Sequence, residues 1–437
     1  MKIVYKLSFI WMLLVAGIVS CNTDNPGVDY SAPNLDLVIA TLETEIELTV
    51  DESTALKLSF INAEGAVKYI WTTSGNVLSQ EEDYTFLSSE SGSFTINVYA
   101  EDTKGKYVNT TFTIKVKDAP HVFTNEKVVV GYLPSYNNST IKWNEITHFI
   151  YAFVYPKEDG TLDISDMSEL TSYVTLAHDN NVKILVSVGG AAYPGSDVRV
   201  FTSTILDSAK RAIFVSSVNS FVREYQLDGI DIDYEELVGG GATVDDTDTK
   251  KLVPLYQELR EALPSTSLIT AAVSGGYGWT AYHFRNIIVE MTKELDFVTI
   301  MSYDNTGTWG GSPLGSHSSF TDAQGALNRY EEFGAAKDKL VLAVPFFGRD
   351  FLTADGGIGT PVAYDDIVTT YSPTAAEFTA GNINRDGHNI FFNSQEIIVQ
   401  KTVFVKDNNY RGIGIWELGQ NTTEENLSLS KDILNQF

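Results

Sequence analysis

Leu227-Asp228-Gly229-Ile230-Asp231-Ile232-Asp233-Tyr234-Glu235 alternates apolar and acidic side chains with a period of two. Along a β-strand successive side chains point to opposite faces, and residues two apart share a face at roughly 6.5–7 Å. Ile230 and Ile232 therefore occupy one face, and Asp231, Asp233 and Glu235 the other. The isoleucines mark a face covered by other elements, which argues against an exposed acidic edge strand.

Working outward, comparable β-rich runs recur through residues 125–437: KVVVGYLP (127–134), THFIYAFVYP (147–156), VKILVSVGG (182–190), SLITAAVSGG (267–276), LDFVTIMSYD (295–304), KLVLAVPFFG (339–348) and RGIGIWELG (411–419). Helical spacing appears between several of them. In 207–226 Ile213, Phe214, Val218, Phe221, Val222 and Tyr225 follow a 3,4 pattern, and in 246–263 Leu252, Leu255, Leu259 and Leu263 do the same. Continuous apolar strands alternating with helices indicate a parallel sheet buried on both faces. Eight of them predict an α/β fold, a (β/α)8 barrel with its active site at the C-terminal strand ends. The isoleucines of the fourth strand then face the helices, and its three carboxylates the barrel interior. Three ionised carboxylates there would be strongly destabilising, so fold stability does not explain them. Paired like charges force at least one proton to be retained. Glu235, nearest the mouth, is the carboxylic acid placed for proton donation. The six histidines form no pair at ligand spacing, which argues against a metal site.

Residues 31–119 have a different rhythm. LDLVIA, IELTV, ALKLSFI, VKYIWTT, SFTINVYAED and YVNTTFTIKVKD are short β-branched or aromatic runs between turns, as in a small all-β sandwich. Gly92 to Gly105 resembles the late strands of PKD-type, immunoglobulin-like modules, and Trp71 stands at their aromatic core position. Such a module binds carbohydrate or acts as a spacer, and the spacer reading is favoured here. Further upstream, Lys2 and Lys6 precede an apolar stretch at 7–19, too short for a comfortable transmembrane helix. Ile18-Val19-Ser20-Cys21 resembles a bacterial lipobox. The expectation is a signal peptide over 1–20, lipidation at Cys21, a polar tether over 21–30, and export to a bacterial cell-envelope membrane held by that lipid alone. The formal charge of −27 disfavours nucleic acid and anionic membrane surfaces, and one cysteine excludes an intrachain disulfide.

Asp228 to Glu235 resembles the DGxDxDxE signature of family 18 glycoside hydrolases, the chitinases and endo-β-N-acetylglucosaminidases, at every fixed position. Ser187-Val188-Gly189-Gly190 is similar to the family's SxGG, and Met301-Ser302-Tyr303-Asp304 to its MxYD. Pro345 to Arg349 and Gly414-Ile415-Trp416-Glu417 are similar to its seventh and eighth strand segments, and Tyr132 and Phe153 match aromatic positions after the first two strands. The resemblance implies retaining, substrate-assisted hydrolysis without a cofactor, by a protein expected to act as a monomer on N-acetylglucosamine-containing poly- or oligosaccharides. Glu235 would be the acid/base. Asp233 would stabilise the charge developing on the 2-acetamido group, Asp231 would share a proton with Asp233, and Tyr303 would bind the acetamido group. Trp416 would stack under the sugar, and Met301 and Asp304 would line the same pocket. Ser187 would support the aspartate pair. Trp279 and Trp309, after the fifth and sixth strands, are candidate sugar platforms, whereas Trp143 reads as structural.

Two departures from the family stand out. Only residues 349–411 are available for an insertion between the seventh and eighth strands, and they must also supply a helix near 394–406, so any insertion is small and the cleft shallow on that side. Glu417 follows Trp416 directly. Both chitin and the chitobiose core of N-glycans are compatible with the signature; Tyr234 within it and the Trp-rich face favour chitin. A sugar-binding relative without activity would be expected to lack Glu235.

Overall fold

The computed structural model describes residues 36–40, 42–89, 92–117, 127–137, 139–190, 200–235, 250–275, 279–352 and 356–437. Cys21, the stretch before it and the tether lie outside them. The chain divides into two compact units at Asp118/Ala119.

In the N-terminal unit one sheet orders strands Glu45–Thr49, Tyr107–Lys117, Gly92–Asp102, Val67–Thr73 and Asn76–Ser79, and Ser53–Lys57 pairs with Asp83–Leu87 in a second. Trp71 is fully buried among Ile96, Val98, Phe112 and Ile114, and its indole N–H donates to the Glu81 carbonyl at 3.0 Å. It is a core residue, not a platform. Among the described residues 36–40, LDLVIA makes isolated bridges, Asp36 to Tyr107 and Ile39 to Phe60, and no strand. The strand Asn76–Ser79 was not legible from period; Ser74 and Gly75, both with positive φ, fold Val67–Thr73 back onto it.

The second unit is a closed barrel of eight parallel strands: Val128–Pro134, His148–Pro156, Lys183–Gly189, Gly229–Asp233, Leu268–Ser274, Phe297–Met301, Leu340–Pro345 and Gly412–Trp416. The first strand pairs with both the second and the eighth, which closes the ring. Outward-pointing Ile230 and Ile232 join Phe214, Val218, Leu255 and Leu259 in the large core between strands and helices. A separate cluster of Val128, Val130, Tyr132, Ile150, Leu185, Phe297 and Val341 fills the barrel interior.

The expected helices are present with defined starts. Ser208–Glu224 begins at Asp207, whose carboxylate accepts from the backbone N–H of Ala209 and Lys210, and Gln395–Asp407 begins at Ser394. Leu252–Ala262 starts at the first apolar position of its 3,4 pattern, Leu252. The expected small insertion is a compact α+β unit. Strands Thr360–Ala363, Phe347–Asp350, His388–Phe391 and Asn382–Arg385 form an antiparallel sheet in that order, with helix Ala375–Ala380 beside it in sequence. Four-residue strands are too short to announce themselves by period.

Candidate active site

The fourth strand and its neighbours decide what each carboxylate meets. In register, Asp231 lies between Ser187 and Thr270, while Asp233 lies between Gly189 and Ala272. Ser187 Oγ donates to Asp231 at 2.8 Å and Thr270 Oγ1 at 2.6 Å, so Asp231 is anchored and wholly buried. Asp233 has no hydroxyl beside it. Its Oδ1 is buried and has no hydrogen-bond partner among the described residues. Glu235 follows the strand end and lines the mouth.

Burial pushes Asp231 up to about 6, opposed by its hydrogen bonds from Thr270, Ser187 and Tyr132. Asp233 is raised further, by burial and then by the negative charges of Glu235 and Asp231. Glu235 rises to about 7, through burial first and Asp304 second. Asp233 and Glu235 therefore retain protons near neutrality, while Asp231, at about 6, is largely ionised there; the strand pattern required at least one retained proton. Asp304 behaves oppositely. Burial works against its ionisation, but His317 and Arg349 together hold its pKa below the ordinary aspartate value. The Arg349 guanidinium donates to Asp304 Oδ1 from Nε at 2.8 Å and from Nη2 at 2.7 Å. Tyr303 stays a neutral phenol, its pKa pushed well up by burial and by the carboxylates around it.

These groups open onto a cleft of about 1030 Å³ lined by Asp233, Glu235, Met301, Tyr303, Asp304, Tyr132, Phe153 and Trp416, among others. Trp416 stands 5.8 Å from the Phe153 ring and 5.9 Å from Tyr132, centroid to centroid. The peptides Ala152–Phe153 and Trp416–Glu417 are cis. The two glycines after Ser187 are required by packing. A Cβ on Gly189 would lie 2.1 Å from the Asp233 carbonyl, and one on Gly190 2.7 Å from the Phe153 ring, and both residues have positive φ. Asp228, the first acid of the signature, is not in the cleft; it pairs with Lys183 at 2.7 Å and His178 at 3.0 Å and accepts the Ile184 N–H, tying the fourth strand to the third.

The candidate site residues are distributed as follows. Asp231 lies beneath the cleft, holding the strand instead of lining the surface. Trp309 is 47% exposed and lies outside the cleft lining. Trp279 starts the helix Trp279–Tyr282, and its side chain is outside the described part. Trp143 packs edge-on against Phe149 at 5.1 Å, a structural role. Glu417 is buried and accepts from Asn137 Nδ2 at 2.9 Å and from the Gly419 N–H. Sequence reasoning missed Tyr136, Tyr155, Asp166 and Ser168 in the lining. Tyr155 was readable, since it shares a strand face with Phe153 two residues away. His317 and Arg349 carried no spacing signal toward Asp304. Among the described residues no group of three or more His, Cys, Asp or Glu could hold a metal ion.

The family model for glycosyl hydrolases family 18 matches residues 128–421, well over half of the chain. The protein belongs to that family. Among its relatives, an endochitinase of Manduca sexta is 30% identical over 54% of this chain and 47% of its own, so the match spans about half the length of that relative. A chitinase-like effector of Moniliophthora roreri is 29% identical over 51% of this chain and 59% of its own. Among solved structures, a chitinase from Bacteroides thetaiotaomicron superposes with a TM-score of 0.59 at 29% identity, covering 71% of this chain and 96% of that one. A family 18 chitinase from the chitin utilization locus of Flavobacterium johnsoniae gives 0.58 at 26% identity, covering 71% and 93%. The barrel unit is thus that of a family 18, chitinase-like glycosidase.

Proposed function

We propose that the protein hydrolyses β-1,4 bonds between N-acetylglucosamine units, with retention, using the substrate's own 2-acetamido group as nucleophile. The observation that carries this reading is the Asp233 carboxyl: buried, unpartnered at Oδ1 among the described residues, and one strand step from the protonated Glu235. A carboxyl there hydrogen-bonds Glu235 or an acetamido N–H. It sits two residues before the acid, at the end of the strand that leads to it, and so is badly placed for attack from the opposite face of the sugar. Asp304 is held in an ion pair with Arg349 at 2.7 Å and is not free to act as the nucleophile.

In the first step the Glu235 proton passes to the glycosidic oxygen, which leaves with the C1–O bonding pair. The acetamido carbonyl oxygen closes onto C1 and forms an oxazolinium ion. Asp233 offsets the positive charge developing on that group, and Tyr303 donates to it. In the second step Glu235, now a carboxylate, takes a proton from water. The water oxygen bonds to C1, the acetamido oxygen departs, and the β-configuration is restored. Trp416, flanked by Tyr132 and Phe153, offers a face on which the C–H side of the sugar packs.

Glu235→Gln should keep binding and lose activity by at least ~10²-fold, the scale for loss of a general acid. Fully deacetylated chitosan oligomers should be inert. Hydrolysis of them as fast as of chitin oligomers would replace this mechanism with a two-carboxylate one. We also propose that residues 31–119 form a PKD-type spacer, supported by Trp71 being inside its core, and that Cys21 carries a lipid anchor, supported by the sequence of residues 2–21.

A further inference from the structure

Lys401 is a buried cation that the hydrolysis does not use. It projects from helix Gln395–Asp407 with 0% exposure. All its protons are spent on neutral oxygens: the Ser318 carbonyl at 2.9 Å, Ser318 Oγ at 2.8 Å and Asn393 Oδ1 at 2.5 Å. Burial lowers the Lys401 pKa to about 7, opposed by the Asp322 carboxylate at the start of helix Phe320–Glu332. A lysine kept this far from water is costly unless its hydrogen bonds matter.

What those bonds hold is the back of the Tyr303–Asp304 turn. Ser318 Oγ donates to the Ser302 carbonyl at 2.5 Å. The His317 carbonyl accepts the Asn305 N–H at 3.0 Å, and His317 Nδ1 accepts the Asp304 N–H at 3.3 Å. His317 Nε2–H donates in turn to the Phe347 carbonyl at 3.1 Å. Residues 302, 304 and 305 are thereby fastened to the pair His317–Ser318. The turn needs fastening, because Asp304 has φ +60°, a left-handed conformation that a non-glycine residue holds only when its surroundings enforce it.

We propose that Lys401 is a positioning residue for the catalytic turn: through Ser318 and His317 it holds Tyr303 and Asp304 in the geometry that serves Glu235 and the substrate. This rests on the function proposed above. The hydrogen-bond partners of Lys401, Ser318 and Asn393, do not line the cleft; its effect passes through Ser318, His317 and one backbone turn. A displacement of about 1 Å at the far end is enough to cost 10²-fold in rate.

The test uses the full chain and a soluble, fully acetylated chitin oligosaccharide. Lys401→Met and, separately, Ser318→Ala are compared with the unaltered protein for kcat, KM and the pH profile of kcat/KM, beside thermal melting. Ser318→Ala removes one hydroxyl and leaves the lysine charge in place, so it decides the matter where Lys401→Met yields no folded protein. Both variants are expected to lose about tenfold or more in kcat with little change in KM. Their alkaline limb should move to lower pH, because an Asp304 that has swung away no longer raises Glu235. A folded Ser318→Ala protein with unchanged kcat and an unmoved limb overturns the proposal. Absence of hydrolysis in the unaltered protein would instead sink the hydrolase reading, so the two failures are distinguishable.

Discussion

Replacing Asp304 by Asn tests how the acid is kept protonated. The carboxyl of Glu235 is raised from 4.5 to about 7, by burial as the larger cause and the Asp304 charge as the smaller. Asp304 is ionised throughout the relevant range, since His317 and Arg349 hold it low against the effect of burial. Burial survives the substitution and the charge does not. Less than half of the rise is therefore removed, about one pH unit, which is roughly a tenfold change in the protonated fraction above the limb. Activity needs Glu235 protonated, so the alkaline limb of kcat/KM should fall from near pH 7 to near pH 6. At pH 8 the variant should be about tenfold further behind the unaltered enzyme than at pH 5. The assay is kcat/KM against pH on a soluble acetylated oligosaccharide, with melting at each pH to allow for the lost Arg349 ion pair. A limb that stays in place in folded protein would show that Asp304 does not act on Glu235, and the electrostatic account of the site would fail.

Other outcomes follow from the same geometry. Asp231→Asn should raise the melting temperature at pH 8 more than at pH 4: the folded pKa, about 6, lies above the unfolded one, so the penalty of ionising it is absent below about pH 4, grows up to about pH 6 and is complete beyond, at on the order of 3 kcal/mol. An equal change at both pH values would contradict that sign. Gly190→Ala should raise KM by displacing Phe153 from Trp416, and should also cost roughly 1–2 kcal/mol for the left-handed backbone; a variant with unaltered KM and stability would show the strand end to be more compliant than its packing indicates. Cys21→Ser should release the protein from the membrane fraction of a bacterial host, and unchanged fractionation would remove the anchor.

Much of the barrel was legible because its strands are long and two-sided. Runs such as Lys183–Gly189 and Leu268–Ser274 are buried on both faces and show as continuous apolar stretches. The acidic fourth strand was legible because no packing argument tolerates its pattern. The unread parts share a different physics. The insertion sheet is built of four-residue strands defined by turns and pairing, not by period. His317 and Arg349 reach Asp304 from 13 and 45 residues away, and a contact made across a fold leaves no mark on local spacing. Trp309 illustrates the converse: a loop position that announced a platform stands half-exposed outside the lining, because local sequence does not fix where a loop side chain points.

The three carboxyls of the run Asp231 to Glu235 differ in what they meet, and that difference is what makes a site out of them. Asp231, between Ser187 and Thr270, has two fixed donors and no freedom. Asp233, between Gly189 and Ala272, has neither, and the tight contact of Gly189 with its carbonyl holds the backbone while the carboxyl lacks a protein partner at Oδ1 among the described residues. Glu235, past the last paired residue, reaches the cleft and meets the field of Asp304. A hydroxyl placed beside Asp233 would satisfy it and remove its reason to turn toward Glu235 or an acetamido group. An aliphatic pair beside Asp231 would leave the strand without its anchor and a second carboxyl unsatisfied, at a cost of several kcal/mol. The register of three parallel strands, set by apolar faces that never touch substrate, therefore assigns one acid to hold, one to turn and one to give its proton.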